Sequence, residues 1–454
     1  MGVAMVAELL CLRLISHATR QLGVPAHKES LSMKLPRILD TNTHAHPAAA
    51  RSRWGLSRRG FLRATSAAGT LAAIAVSTSG CKRASAPSQP GVVTDIPADY
   101  IIDPQTNESN YNVVDMPLKA GSAWEFPRGT TFYPSDGTMI AAISPSALAL
   151  PMVKGCVLSL EKGTISDVIA DVYTKDSANY VIYDVRCSNA LYAWIELDVV
   201  THNWSLYAQA MANGATHGSV LELWQSTSDY LPAQFAVSGS SVVWQVCPHP
   251  KKSKARSHSY AYIWKLGDEQ AQQVVESNGR FACPPSISKG TCVLVPRLTV
   301  QKSQLYCMNA YTLSSGFSST IATLTLPSGV APLDVQYISN KFAFSIAANY
   351  QSGGLLGKMG TYIGTTDGLC VLSREPSAPV CGCGDTFIVR NRTSYFVINT
   401  ATKSYSVLPA ANRCSDFGEY PACAGEQKTF VTYATIKDKD TGYPKNMVVR
   451  LFSM

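Results

Sequence analysis

From Thr131 to the C-terminus, short runs of β-branched and aromatic residues alternate with clusters of Gly, Asn, Asp and Ser. Such runs, bounded by turn-forming residues, are typical of β-strands. Residues 180–225 show four of them in succession, YVIYDVRCS, ALYAWIELDVV, SLYAQAM and VLELWQ. No stretch after Asn107 keeps the 3.6-residue period of an amphipathic helix. The pattern therefore predicts an all-β protein.

The four-strand unit recurs along the chain, and its second strand carries most of the apolar residues, as at 242–244, 293–295 and 342–346. A repeat of about 40–50 residues with four strands is typical of a propeller blade. One such sheet cannot bury both of its faces alone, whereas sheets stacked in a ring can. We count seven units and predict a β-propeller of seven four-stranded blades over residues 106–454. A pair of β-sandwiches is the competing architecture.

The last unit lacks a fourth strand after VVRLF, at residues 448–452. A ring has to close, because an open seam would leave two exposed strand edges. We therefore expect a strand between Asn110 and Tyr133, either at 110–118 or near Trp124, to complete the final blade.

The N-terminal part carries an export pattern. Arg58 and Arg59 stand in SRRGFL, with Phe61 and Leu62 after them, and a short apolar run follows at 72–76. This order of basic, apolar and small residues is that of a signal peptide, and the paired arginines resemble a twin-arginine signal. Residues 1–80 are thus predicted to be a leader, with Met33 as an alternative start of translation.

Cys81 ends this leader in TSGC, which resembles a lipobox, the motif in which a cysteine receives lipid. Thr78 stands where leucine is usual, and ASA at 84–86 is an alternative cleavage site. We predict lipidation of Cys81, which would hold the protein at the membrane surface. Residues 81–105, rich in Pro, Ser and Ala at their start, are predicted to be a flexible tether.

The formal charge of +8 does not indicate nucleic-acid binding. Residues 1–80 hold ten Lys/Arg and three Asp/Glu, which leaves 29 and 28 in the remainder. A neutral body lacks the basic surface that nucleic acid requires. The basic run at 251–259 is interpreted as a solvated loop, with contact to anionic lipid or an envelope polymer as the alternative.

Signatures of catalysis and of metal or cofactor binding are missing from the sequence, which has no G-x-S-x-G or H-E-x-x-H. The Gly-rich stretch at 354–360 lacks the Ser or Thr of a phosphate loop, and DKDTG at 438–442 is interpreted as a turn. No cofactor is predicted. Four carboxylates share one unit, but strand alternation is expected to scatter them over two faces. They are Asp184, Glu196, Asp198 and Glu222.

Most cysteines are interpreted as buried small apolar residues. Two spacings nevertheless allow short disulfide loops, which would join Cys283 to Cys292 and Cys414 to Cys423.

The segments YDVRCSNALYAWIELD and NWSLYAQ resemble blades of TolB-like β-propellers. With SRRGFLRATSAAG in front of them, the whole chain resembles uncharacterised twin-arginine-signal lipoproteins of bacteria. The resemblance implies a propeller fold and a place at the cell envelope. It implies no activity and no functional residues.

Taken together, the sequence predicts an exported, membrane-tethered propeller at the outer face of the cytoplasmic membrane. We expect it to bind or scaffold an envelope protein or glycan, with the twin-arginine export machinery and the membrane as further partners. The alternative is an extracytoplasmic hydrolase or lyase that acts on carbohydrate or peptide at the propeller funnel, where two carboxylates would serve as acid and base.

Overall fold

The computed structural model describes residues 96–145, 154–176, 178–250, 258–300, 303–347, 358–411 and 418–454. The chain separates into two units, 1–89 and 90–454, and all described residues belong to the second. Arg58, Arg59, Phe61, Leu62 and Cys81 lie outside the described residues, as do Cys414 and most of the basic run at 251–259. Within the described ranges there is no helix long and apolar enough to cross a membrane.

The strands form seven sheets, preceded by three strands that join sheets formed later in the chain. These three are β1 (Ala98–Tyr100), β2 (Asn112–Val113) and β3 (Lys119–Pro127). Sheet 1 contains β4 (Thr131–Phe132), β5 (Met139–Ser144), β6 (Lys154–Ser159) and β7 (Thr164–Ile169). Sheet 2 contains β8 (Tyr180–Cys187), β9 (Leu191–Asp198), β10 (Trp204–Ala212) and β11 (Ala215–Ser226). Sheet 3 contains β12 (Gln234–Ser238), β13 (Ser241–Val246), β14 (Ser259–Lys265) and β15 (Gln272–Ser277).

Sheets 4, 5 and 6 have more than four strands, and sheet 7 has four. Sheet 4 contains β16 (Ser286–Ser288), β17 (Thr291–Leu294), β18 (Arg297–Val300), β19 (Ser303–Thr312) and β20 (Thr320–Thr325), with a 3-10 turn at Leu313–Ser315. Sheet 5 contains β21 (Pro332–Ile338), β22 (Lys341–Ile346), β23 (Gly360–Thr365), β24 (Gly368–Leu372) and β1. Sheet 6 contains β25 (Cys381–Cys383), β26 (Thr386–Arg390), β27 (Ser394–Asn399), β28 (Ser404–Pro409), β2 and β30 (Gly425–Glu426). Sheet 7 contains β29 (Tyr420–Pro421), β31 (Thr429–Lys437), β32 (Pro444–Ser453) and β3.

Apolar side chains join each sheet to the next, in chain order. Sheets 1 to 6 share five successive clusters of buried residues between neighbouring sheets. A further cluster joins sheets 6, 7 and 1, and includes Ile388, Val449 and Phe132. Alternating side chains let each strand fill the interface on either side of its sheet. The chain is therefore an all-β β-propeller, and the alternative of two β-sandwiches is wrong.

Sheet 7 combines both ends of the domain. Strand β3 pairs antiparallel with β32, so that Trp124 lies opposite Val449 and Phe126 opposite Met447. This pairing confirms that a strand between Asn110 and Tyr133 completes the final sheet. Of the two candidate segments, the one around Trp124 forms that strand.

The N-terminal segment also protects two other sheet edges. Strand β1 pairs in parallel with β24, and β2 pairs in parallel with β28. These strands cover unpaired backbone groups at the outer edges of sheets 5 and 6. Strand β1 lies inside residues 81–105, for which the sequence predicts a tether. The ordered domain thus begins before residue 106, because Ala98–Tyr100 finds a partner edge that is distant in sequence.

Six sheets, numbered 1 to 6, draw four or more strands from one continuous stretch of chain, and these are six blades. The predicted count of seven four-stranded blades is not confirmed by this number. The three C-terminal strands of sheet 7 do not make a four-stranded unit by themselves, and sheets 4 to 6 have more than four strands because hairpins and distant segments add to them.

Candidate functional site

The innermost strands of sheets 1, 2 and 3 meet around one guanidinium group. Arg186, on β8, lies with its guanidinium carbon 5.0 Å from the ring centre of Tyr133 and 5.5 Å from that of Phe235. Tyr133 follows β4, and Phe235 lies on β12. A cation held between two aromatic faces is stabilised by their π electrons. Arg186 therefore ties three blades together at the axis of the propeller.

Asp184, two residues earlier on the same face of β8, forms an ion pair with Arg186. It also accepts the Val185 N–H at 2.9 Å. Burial raises the pKa of Asp184 above its usual value, and the Arg186 guanidinium partly offsets this rise. The side chains of Arg186 and Asp184 keep 22% and 20% of their surface exposed, so the pair remains within reach of solvent.

Sheets 6 and 7 add a second guanidinium and further rings. Arg390, on β26, lies 4.0 Å from the ring centre of Tyr420, on β29. Tyr433, on β31, contacts both Tyr420 and Phe132. Burial and the neighbouring Tyr420 raise the pKa of Tyr433 to about 12, against the opposing fields of Arg390 and Arg186. The positive charges of Arg186 and Arg390 therefore both influence the ionisation of Tyr433.

We call this group the central site and define it as Tyr133, Asp184, Arg186, Phe235, Arg390, Tyr420 and Tyr433. It presents aromatic faces, the Arg186 guanidinium and one carboxylate, whereas the Arg390 guanidinium is buried against Tyr420 and donates to the Glu419 carbonyl. Such groups suit stacking against a ring together with hydrogen bonds to carboxylates or hydroxyls. Tyr420 is 42% exposed, so the site has an open side.

Sheet 5 repeats part of this arrangement with an amide in place of the cation. Asp334, on β21, accepts hydrogen bonds from the Gln336 amide at both carboxylate oxygens, each at 3.1 Å. Burial raises the pKa of Asp334 to about 6, although hydrogen bonds from Gln336 and the Val380 N–H lower it in part. In both blades a register shift of the innermost strand falls just before the aspartate. Asp334 is thus a carboxylate held near the axis by neutral donors.

The turns between first and second strands are linked at one end of the ring. The Ser238 hydroxyl of sheet 3 donates to Asp136 of sheet 1 at 2.6 Å, and the Ser188 hydroxyl of sheet 2 donates to the Gly239 carbonyl at 2.5 Å. These bonds cross blade boundaries and hold the turns close to the axis.

On the opposite side of this end, β30 lies inside the innermost strand of sheet 6. It pairs in parallel with β25, and the Glu426 carboxylate reaches the turns of sheets 4 and 5. Lys289 Nζ donates to it at 2.6 Å and the Ser339 N–H at 3.0 Å. Burial alone would raise the pKa of Glu426, but these two hydrogen bonds lower it overall. The segment 422–427, which we call the plug, therefore adds to the inner edge of sheet 6, where its strand β30 contacts the innermost strands of sheets 4 and 5.

The four carboxylates of sheet 2 do not form an acid–base pair. Glu196 is fully buried and accepts hydrogen bonds from the N–H groups of Tyr173 and Thr174 and from the Trp194 indole. Asp198 accepts two N–H groups of its own turn, and Glu222 accepts the Tyr207 hydroxyl. Of the four, Asp184 belongs to the central site.

The disulfide that the spacing of Cys283 and Cys292 allows is not formed. Cys283, in the connection between β15 and β16, packs between sheets 4 and 5, whereas Cys292, on β17, packs between sheets 3 and 4. Of the ten described free cysteines, eight are buried, in line with their interpretation as small apolar residues. Cys423 faces Cys381. Cys414, which the spacing would allow as a disulfide partner of Cys423, lies outside the described residues.

No group of three or more His, Cys, Asp or Glu side chains suited to a metal ion occurs in the described part of the chain. A cavity of about 310 Å³ lies away from the axis, between β1 and sheets 5 and 6, and is lined in part by Asp99, Tyr111, Lys341 and Cys370. Asp438 caps its own turn through the N–H groups of Asp440 and Thr441, as the interpretation of DKDTG as a turn requires.

Sequence reasoning did not single out Arg186, Asp334, Arg390 or Glu426. One signal was present. Asp-Val-Arg at 184–186 and Asp-Val-Gln at 334–336 occupy equivalent places in the first strands of two units. A polar pair repeated at the same place in first strands indicates residues that lie near the axis. Strand periodicity alone indicates only which faces of a strand are buried.

Comparison with known proteins finds similarity at the level of solved structures. No protein-family model matches the sequence, and no curated protein matches it significantly. Among solved structures, the β-propeller domain of the trilobed protease from Pyrococcus furiosus is similar with a TM-score of 0.43 and 8% identity, over 72% of this chain and 95% of that one. A prolyl endopeptidase gives 0.41 and 11%, over 71% of this chain and 47% of that one. A puromycin hydrolase gives 0.40 and 10%, over 73% and 54%. The chain is a β-propeller that resembles the propeller domains of such peptidases.

Proposed function

We propose that this protein is an exported, lipid-anchored β-propeller of the TolB-like kind, which binds or scaffolds an envelope protein or glycan through its central site. Export would use the twin-arginine machinery through Arg58 and Arg59, and Cys81 would carry the lipid at the outer face of the cytoplasmic membrane. The near-neutral body argues for these partners over nucleic acid.

The observation that carries the proposal is the partly exposed Arg186–Asp184 pair between the rings of Tyr133 and Phe235. A planar guanidinium offers several fixed donors to a carboxylate or to sugar hydroxyls. Aromatic rings beside it offer faces for stacking. The plug supports a binding role as well, because it adds to the inner edge of sheet 6, beside which a funnel would pass.

We further infer that sheet 7 is a seventh blade. Its apolar side chains pack in one cluster with those of sheets 6 and 1. Its fourth strand comes from β3, so the ring would close by joining the two ends of the domain. Such a joint removes two exposed edges and makes closure depend on both termini.

The test is capture of a partner from solubilised cell membranes by the full chain, with chemical cross-linking, together with a screen against envelope glycans. We expect Arg186→Met to lower capture at least tenfold when assayed well below its melting temperature, which the loss of the contacts to Tyr133, Phe235 and Asp184 should lower. Lys439→Ala, at an exposed turn, is the matched control and keeps full capture. Equal capture by both variants would remove the central site from the proposal.

Hydrolysis or cleavage of a glycan or peptide by the purified protein, abolished by Asp184→Asn, would instead support the alternative hydrolase or lyase function. That outcome requires a second carboxylate or an equivalent group at the central site.

A further inference from the structure

Two buried thiols face each other across the boundary between sheet 6 and the plug. The sulfur atoms of Cys381 and Cys423 lie 3.5 Å apart. Cys381 begins β25, and Cys423 lies between β29 and β30. Their exposed fractions are 0% and 3%. The two residues are 42 positions apart in sequence, so the tertiary fold brings them together.

The distance suits bond formation after a small movement. A disulfide joins sulfur atoms about 2.0 Å apart, so rotation of the two side chains has to shorten the present separation by about 1.5 Å. Cys381 is held by the β25–β30 pairing through its register partner Gly425. Cys423 Sγ accepts the Val431 N–H at 3.4 Å, which holds it against sheet 7. Both thiols are therefore positioned by backbone pairing on either side.

We propose that Cys381 and Cys423 form a reversible intramolecular disulfide that fastens the plug to the innermost strand of sheet 6. The oxidant is a low-molecular-weight disulfide. The thiolate of one cysteine attacks it, releasing one small thiol and leaving a mixed disulfide. The other cysteine then attacks the protein sulfur of that mixed disulfide, and the second small thiol leaves. Two protein thiols are oxidised, the small disulfide is reduced to two thiols, and the two protons end on those thiols.

The surroundings of the pair set the rate of this exchange. The hydrogen bond with Cys423 and burial both raise the pKa of the Cys381 thiol. A thiolate is needed for attack, so the reaction of the native protein is slow near neutral pH and faster at alkaline pH. Local opening of the plug gives the oxidant access. A closed disulfide would then keep the plug in place.

The experiment uses the purified full chain, first fully reduced and then incubated with oxidised glutathione at alkaline pH. Tryptic peptides are mapped by mass spectrometry with and without reductant. We expect a linked peptide pair that contains Cys381 and Cys423, the loss of both thiols from titration, and a higher melting temperature than that of the reduced protein. Reductant should reverse all three changes.

Cys423→Ala should abolish the linked pair and the gain in melting temperature. Cys292→Ala is the matched control, because Cys292 is also buried but its thiol donates to the Val293 carbonyl and not to either cysteine of the pair. This variant should keep both the linked pair and the gain in melting temperature. A wild-type map in which Cys423 pairs with Cys414, or in which Cys381 and Cys423 stay reduced, overturns the proposal. The map of the wild-type protein decides the matter even where a variant fails to fold, provided that fragmentation of the linked peptides separates Cys381 from Cys383 and Cys423 from Cys414. Its outcome is independent of partner binding at the central site.

Discussion

The Asn446 side-chain amide donates a hydrogen bond of 2.8 Å to the Glu125 carboxylate, although 321 positions separate the two residues. Both lie in sheet 7, where β3 and β32 pair along their lengths. The last strand of the chain therefore has its partner at the beginning of the domain. We expect this long-range pairing to form late in folding, because it requires closure of a very long loop.

Deletion of β3, Lys119–Pro127, should prevent cooperative folding, since it exposes the edge of β32 and uncovers the apolar cluster shared by sheets 6, 7 and 1. We expect aggregation on size-exclusion chromatography and loss of a sharp thermal transition. Deletion of residues 82–91, in the predicted tether, is the control and should leave the transition unchanged. A β3 deletion that stays monomeric and melts like the parent would contradict closure through this strand.

Gly163→Ala tests how Trp124 of β3 sits against sheet 1. A Cβ at Gly163 would lie 1.9 Å from the Trp124 indole nitrogen, at a backbone φ of +66°. Gly442→Ala is the matched control, because its φ is +71° and a Cβ added there would have open space for 4 Å around it. Both variants carry the backbone penalty of about 1–2 kcal/mol. Overpacking against Trp124 should lower the free energy of unfolding of Gly163→Ala by a further roughly 1–3 kcal/mol. Denaturant unfolding of both variants measures this difference. Equal losses would show that Trp124 is not seated there.

Arg450→Met should strongly destabilise the junction of sheets 6 and 7. Arg450 donates to both oxygens of the fully buried Glu419, at 2.8 and 2.6 Å, and Thr432 donates to the same carboxylate. Removing one partner of a buried ion pair leaves an unpaired charge, which costs about 3–5 kcal/mol.

The control for this variant is Lys154→Met, which breaks an exposed pair with Asp167 and should cost less than about 1 kcal/mol. Adding Glu419→Gln to Arg450→Met should recover part of the loss, because the buried charge is then gone. A small effect of Arg450→Met in urea unfolding would mean that Glu419 is not buried with its charge.

Asp334→Asn should make stability less sensitive to pH. Burial raises the pKa of Asp334 from 3.8 to about 6 in the folded protein. Below about pH 3 the carboxyl is protonated in both states and has no effect, and at pH 4 its effect is still less than about 1 kcal/mol. As pH rises to 6 and beyond, the unfolded chain releases the proton more readily, so this group lowers the free energy of unfolding by up to about 3 kcal/mol.

The variant should therefore be more stable than the parent at pH 8 and nearly equal to it at pH 4, as measured by denaturant unfolding at both values. Asp440→Asn, at an exposed turn, should show no such difference. If the free energies of unfolding of the parent and of Asp334→Asn differ by the same amount at both pH values, the pKa of Asp334 is not raised.

Changing Arg58 and Arg59 together to Lys should trap folded precursor in the cytoplasm. Lys keeps the positive charge but lacks the planar, multi-donor guanidinium, so recognition by geometry fails while recognition by charge persists. Cell fractionation followed by immunoblotting measures the outcome, and the parent chain is the reference. Normal export of the double-Lys variant would identify an ordinary signal peptide in place of a twin-arginine signal.

The sequence alone predicts that the domain is built of β-strands, that a four-strand unit repeats, and that a strand before Tyr133 closes the last sheet. Each of these follows from local information, because alternating side chains and turn residues specify strands and their ends. An unpaired final strand likewise requires a partner whatever the details of the ring.

Which side chains meet depends on how the sheets pack in three dimensions. Arg186 reaches Tyr133 and Phe235 because the innermost strands of three blades converge on one axis. Glu196 is fully buried, yet its partners are N–H groups of Tyr173 and Thr174, in a connection that has no periodic pattern. The same holds for β1, which pairs with a strand some 270 residues away. Strand periodicity specifies which face of a strand is buried. Contacts between blades depend on register and on the curvature of the ring, and these arise only when all the sheets pack together.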